Sequence, residues 1–140
     1  MATTKIAEQN KATMDRFFEE VFNKGNQAFA AEHIGAGYVI HRSDHGSDGP
    51  ADMTLQGHTT VEAQIAEGDL VVSRTRYEGR VTGEWKMPWG TFTTVGKPIT
   101  FTWLSIDRLE NGKIVEAWVE GDYLGIAMQV GGKRGRRDWS

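Results

Sequence analysis

The sequence predicts an α+β fold: a strongly curved antiparallel sheet that forms a cone, with N-terminal helices packed on it. Three observations lead there. Apolar residues recur at helical spacing over residues 14–22, strand-like alternation dominates after residue 59, and Asn111-Gly112 sits between two such strands. Helices followed by long antiparallel strands is an α+β order. A sheet with helices on one side must curl around them, leaving an apolar floor and an open mouth.

The first element is a helix. Met14, Phe17, Phe18, Val21 and Phe22 fall at i, i+3, i+4, i+7 and i+8, which places them on one face. Thr3 or Thr4 is placed to cap its start, and Lys24-Gly25 to stop it. Asn26 then caps a short second helix through Phe29, Ala30 and Ala31, which Gly35 and Gly37 end. Tyr38-Val39-Ile40-His41 reads as the first strand, and residues 43–57 as a polar, turn-rich connection. Val61, Ala63 and Ile65 alternate with polar residues up to the turn Glu67-Gly68-Asp69. Leu70 to Val81 is a long strand, and Ile99, Phe101 and Trp103 mark another. Asn111-Gly112 is the strongest hairpin signal, because both turn positions need positive φ. Ile114 to Asp122 returns from it, and Tyr123 to Val130 makes a final helical turn or two.

Composition narrows the function classes. A chain of 140 residues favours one domain, taken as 1–132 with a basic tail at 133–140. Sixteen Lys+Arg against 19 Asp+Glu give a net charge of −3, which argues against a nucleic-acid binder. The absence of cysteine excludes disulfides, thiol nucleophiles and Cys-based zinc sites. No apolar run reaches membrane-span length and the start lacks a secretory pattern, so the expectation is a cytoplasmic protein with no membrane partner.

The residues with the most chemistry lie near the end. In a strand, Glu116, Trp118, Glu120 and Asp122 share one face. One reading places Asp122 deep in a cavity, where apolar burial raises its pKa and makes it a general acid or base. The plainer reading makes Glu116 and Glu120 solvated and Asp122 the cap of the helix at Tyr123. His41 offers a second proton carrier or a substrate-orienting group, set against a structural, hydrogen-bonded role. Tyr77 is a candidate to steady an enolate oxygen, and Trp103, Trp118 and Phe101 to supply apolar contact. Trp85, Met87, Trp89 and Phe92, in a loop-like stretch, need cover, either as a ligand mouth or as a dimer interface. His41, Asp44, His45, Asp48 and His58 could be drawn as metal ligands, but a turn-rich segment lacks the rigidity such a site needs, so no metal is expected.

Several segments resemble SnoaL-like polyketide cyclases, members of the nuclear transport factor 2-like superfamily. They are the helix from Asn10 through Phe17-Phe18-Glu19-Glu20-Val21-Phe22 to Gly25-Asn26, then Tyr38-Val39-Ile40-His41 and Ile65-Ala66-Glu67-Gly68-Asp69. Thr82-Gly83-Glu84-Trp85, Gly96-Lys97, Gly112-Lys113-Ile114-Val115-Glu116 and Trp118…Asp122…Leu124-Gly125 follow in family order. The resemblance implies an α+β cone with an apolar pocket, commonly a homodimer through the sheet. It also implies intramolecular aldol ring closure without metal or organic cofactor. The family's acid/base aspartate is matched to Asp122, and a frequent histidine to His41. Two departures stand out: residues 43–57 are too short for the usual third helix, and the Trp85–Lys97 stretch is longer and more aromatic than usual.

The reading is therefore a cofactor-independent acid/base enzyme acting on a small-to-medium hydrophobic carbonyl compound. Asp122 and His41 are its catalytic candidates. Trp118, Trp103, Phe101, Tyr77, Trp85, Trp89 and Glu120 are its substrate contacts. The alternative is a non-catalytic dimeric module for a hydrophobic ligand or protein partner. A hydrolase using Asp122 or Glu120 to activate water is a third reading, but it needs more polar groups at the pocket floor than the sequence supplies.

Overall fold

The structure, a computed structural model, describes residues 2–42, 55–82, 85–87, 90–92 and 96–130. The expected loss of the third helix, Trp89 and the basic tail lie outside these residues. Helix α1 spans Ala2–Phe17. Because it starts at Ala2, Thr3 and Thr4 sit inside its first turn rather than capping it. The apolar stripe buries Met14, Phe17 and Phe18, but Phe22 is 48% exposed. The cause is a change of winding, since Phe18–Asn23 forms π-helical turns. A wider turn rotates the following residues off the 3.6-residue stripe. Phe22 still stacks beside Trp103, with ring centroids 6.0 Å apart. Gly25 takes the left-handed conformation at φ +66° and ends this segment. Asn26 caps α2, Gln27–His33, by accepting a hydrogen bond from the Phe29 amide at 3.1 Å. The chain enters β1, Ile34–Arg42, without a break, so Gly35 and Gly37 belong to the strand.

The main sheet also contains β2 (Leu55–Glu67), β3 (Leu70–Val81), β6 (Pro98–Glu110) and β7 (Lys113–Gly121). Its order is β1-β7-β6-β3-β2. A small separate hairpin, β4 (Trp85–Met87) with β5 (Gly90–Phe92), carries Trp85 opposite Phe92. All neighbours in the main sheet are antiparallel except β1, which runs parallel to β7, so the expected all-antiparallel sheet needs that correction. A parallel neighbour is reached only by a long crossover, which the intervening strands supply. The hairpin turns work as their residues dictate. Asn111 and Gly112 have φ +51° and +77°, and Gly68 has φ +60° between β2 and β3. Register shifts between Ile34 and Val39, Val61 and Ala63, and Arg108 and Leu109 add the bends that curve the sheet. Helix α3, Tyr123–Val130, follows β7.

Strand alternation divides the sheet into two unlike faces. The inner face packs Val71, Leu109 and Ile114 against Met14, Phe17, Phe18 and Phe29, with Tyr38, Val61, Ala66 and Trp103 around them. Two amide side chains tie helical segments to strand backbone. Asn23 donates to the Thr59 carbonyl at 2.9 Å and accepts from the Thr59 amide at 2.7 Å, adding one more rung to the open edge of β2. Gln129 of α3 does the same at Thr100 of β6, with both contacts at 2.8 Å.

Candidate active site

The sheet separates the residues the sequence groups together. Glu116, Trp118 and Glu120 do share a face of β7, but it is the outer one. There, Glu116 pairs across the strands with Arg108, Trp118 with Ile106, and Glu120 with Leu104. Leu104 is 49% exposed and Trp118 37%. The inner face of β7 is Ala117, Val119 and Gly121, which carry no ionisable group. Phe101, Trp103 and Tyr77 lie on that other side.

Asp122 is exposed, so its expected burial is overturned. It stands just past β7 and caps α3, with Oδ1 accepting from the Gly125 amide at 2.9 Å. Its own amide donates to the Thr102 carbonyl at 3.0 Å. A carboxylate that ends a strand and starts a helix is held at the surface by both bonds. Asp122, Glu120 and Trp103 do border one shallow pocket of about 260 Å3, together with Arg74 and Leu104.

His41 is likewise exposed. Its Nε2 lies 2.8 Å from Glu116 Oε2, and its ring stacks on Trp118 with centroids 5.3 Å apart. This hydrogen bond, with Arg108 beyond it, holds the Glu116 carboxyl below the ordinary carboxylate range. His41 therefore belongs to an ion-paired surface cluster, as the structural alternative has it. His58 is in β2, at the opposite edge of the sheet from His41 in β1, so the two cannot share an ion. Among the described residues no group of three potential metal ligands comes together.

The inner face holds a group that the sequence reading passed over. Continuing the alternation Ile99, Phe101, Trp103 along β6 brings Ser105 and then Asp107 to the same side. Asp107 is 6% exposed. Its Oδ2 accepts from Ser105 Oγ at 3.1 Å, the one hydrogen bond its side chain makes among the described residues. Burial pushes its carboxyl up to about 6, against the smaller opposing pull of Ser105. Its neighbours across the sheet are Val71 on β3 and Ala117 on β7. Hydroxyls line the next two rungs: Ser73 faces Ser105 and takes a hydrogen bond from Gln64 at 3.2 Å, while buried Thr75 Oγ1 has no partner among the described residues.

Tyr38 of β1 shares this face. Burial, and secondly the charge of Asp107, push its phenol up to about 12, with Arg42 acting the other way. Tyr77 is also raised, by burial. It pairs with Phe101, and its hydroxyl lies over Gly57, where a Cβ would come within 2.7 Å. Phe101 stacks on Trp103 at 5.4 Å and leans on Tyr123 at 5.5 Å.

A model of the SnoaL-like polyketide cyclase family matches residues 12–130. The chain belongs to that family. No curated protein matches the sequence. Among solved structures, the SnoaL-like chain is similar to IdmH from Streptomyces antibioticus, provisionally assigned as a polyketide cyclase. The two are 25% identical with TM-score 0.70 over 88% of this chain and 99% of that one. A structure from Acidithiobacillus ferrooxidans, provisionally assigned likewise, shares the fold at 19% identity and TM-score 0.74, over 90% and 96% of the two chains. AclR from Streptomyces galilaeus, provisionally assigned as a hydroxylase, shares it at 17% identity and TM-score 0.73, over 91% and 99%. The SnoaL-like fold expected from the sequence is thus present, and among the described residues no helix is long and apolar enough to cross a membrane.

Proposed function

We propose that this protein performs acid/base chemistry of the cyclase or isomerase kind on a small-to-medium hydrophobic carbonyl compound held against the inner face of the sheet. Asp107, not Asp122, takes and returns the proton. The observation that carries this reading is a buried carboxyl among apolar and hydroxyl side chains, with one hydrogen-bond donor and no ion pair among the described residues. A carboxylate in such surroundings is a stronger base than an exposed one, and a pKa near 6 lies close to working pH. Its carboxylate removes a proton from the carbon next to the carbonyl. The C–H electron pair moves into an enolate, which either takes the proton back at another carbon or attacks a second carbonyl of the same molecule to close a ring. The step as written calls on neither a metal nor an organic cofactor. Trp103, closer to Asp107 along β6 than Phe101, supplies the apolar contact.

The test needs no product. Incubation with a panel of aryl and terpenoid ketones in deuterium oxide reads proton abstraction as loss of the α-hydrogen NMR signal. Exchange by the native protein that vanishes in Asp107→Asn is the expected result. Exchange that survives in Asp107→Asn sinks the assignment.

The outer face supports a second copy of the chain as partner. Ile65, Val72, Ile106 and Trp118 stand opposite one another across four strands, and Ile65 is 71% exposed. An uncovered apolar band of this kind marks an interface. Ile106→Glu is expected to halve the mass seen by sedimentation; an unchanged mass overturns the pairing.

A further inference from the structure

Asp107 serves as a base only if its carboxyl faces the right way, and one neighbour decides this. Ser105 stands two residues back on β6, on the same inner face, and both side chains are buried. Their Cα atoms are roughly 7 Å apart at the rise of a strand. A hydroxyl and a carboxyl spaced in this way meet only when each leans toward the other. Ser105 Oγ donates to Asp107 Oδ2 at 3.1 Å, so they do lean, and Oδ1 takes no hydrogen bond among the described residues.

The lean has a direction. Ahead of Asp107, Leu109 and Ile114 are each 2% exposed and lie in the core cluster. Behind it, past Ser105, Trp103 is half-buried and the exposed Phe22 stacks beside it. The inner face is therefore sealed at one end and reached by solvent at the other, and the serine tips the carboxyl toward the second. Among the described residues no charge pulls it elsewhere. Val71 and Ala117, its neighbours across the sheet, are apolar, as are the helical side chains of the core cluster. Tyr38 on β1 senses the Asp107 charge but stays protonated through neutral pH.

We propose that Ser105 is a positioning residue for the base: its hydroxyl holds Oδ2, turns the carboxyl back along β6 toward Trp103, and leaves Oδ1 to take the substrate's proton. This rests on Asp107 being the base, and it puts the substrate at the Trp103 end of the inner face. Loss of the hydroxyl frees the carboxyl to swing, and removes the donor that favours its charged form.

The test reads the carboxyl and the reaction separately. Carbon-13 NMR of protein labelled at its aspartate carboxyls follows Asp107, whose signal is the one missing from Asp107→Asn. Ser105→Ala is expected to move the titration midpoint up by about one pH unit, the scale of a lost hydrogen bond to a charged group. At pH 8 the carboxyl is largely ionised in both proteins, and a more basic carboxylate would not be slower. The rate of α-proton exchange on the ketone panel there reads orientation, and Ser105→Ala is expected to slow it roughly tenfold. Ser105→Thr, which keeps the hydroxyl, is expected to restore both midpoint and rate. Melting temperatures confirm that the variants are folded. A rate unchanged at pH 8 in Ser105→Ala overturns the positioning role and leaves the base standing. Losses that Ser105→Thr does not restore belong to packing and overturn it as well. A native protein that exchanges no ketone of the panel overturns the base, and the positioning role with it.

Discussion

The two faces of the sheet are built from the same residue types and do opposite things with them. On the outer face, Glu116 has His41 and Arg108, Asp122 has the first turn of α3, and both carboxyls are solvated. On the inner face, Asp107 has one serine and no ion pair among the described residues. Counter-charges hold the Glu116 carboxyl below the ordinary carboxylate range, whereas desolvation makes Asp107 reluctant to ionise. A carboxylate's chemistry here follows from which side of a strand it occupies, not from how many acidic neighbours surround it.

The sharpest way to break this contrast is to remove each carboxyl in turn. Asp107→Asn is expected to slow α-proton exchange by roughly 10²-fold or more, the usual worth of a positioned base. Asp122→Asn is expected to change it by less than about twofold, since an asparagine caps a helix as well as an aspartate does. The reverse order would restore Asp122 and make the inner carboxyl a structural oddity.

Stability against pH gives the next largest effect. The folded pKa of Asp107 is raised to about 6 from 3.8. A group raised in the fold favours folding below its unfolded pKa and loses that contribution as pH climbs through the folded one. Asp107→Asn should therefore gain stability relative to the native chain between pH 4 and pH 7, by up to about 3 kcal/mol. Urea unfolding at the two pH values reads the difference directly. A constant gap would mean that Asp107 titrates as if exposed.

How much of this was legible in the sequence depends on which physical rule set each feature. Turn chemistry is local, so Asn111-Gly112, Gly68, Gly25 and the Asn26 cap read correctly. Strand parity is also local, and it rightly put Glu116, Trp118 and Glu120 together. Parity does not say which side meets the helices, however, and a tryptophan among the three made the outer face look like a cavity wall. Ile99, Phe101 and Trp103 carried the missing information, because their parity extends to Ser105 and Asp107. The π-turn at Phe18–Asn23 was not legible, since the apolar spacing there fits an α-helix equally well. The parallel placement of β1 is a tertiary choice that no local pattern encodes.

Edge and end contacts sharpen the comparison at a smaller scale. Asn23 fastens the β2 edge through two hydrogen bonds to Thr59. Asn23→Ala is expected to cost about 1–2 kcal/mol, with water replacing part of the loss. Hydrogen exchange should rise at Thr59 first. A uniform rise along β2 would mean that the edge is held by packing instead.

The smallest effect belongs to the residue that looked most important in the sequence. Asp122→Ala removes the acceptor for the Gly125 amide and leaves α3 uncapped, which typically costs about 1 kcal/mol. Asp122→Asn should recover most of that, because a cap needs an oxygen and not a charge. Thermal melts of the two variants separate the roles. Equal losses in both would show that the negative charge at this helix start matters. Recovery by asparagine would show that Asp122 serves α3 through its oxygen alone.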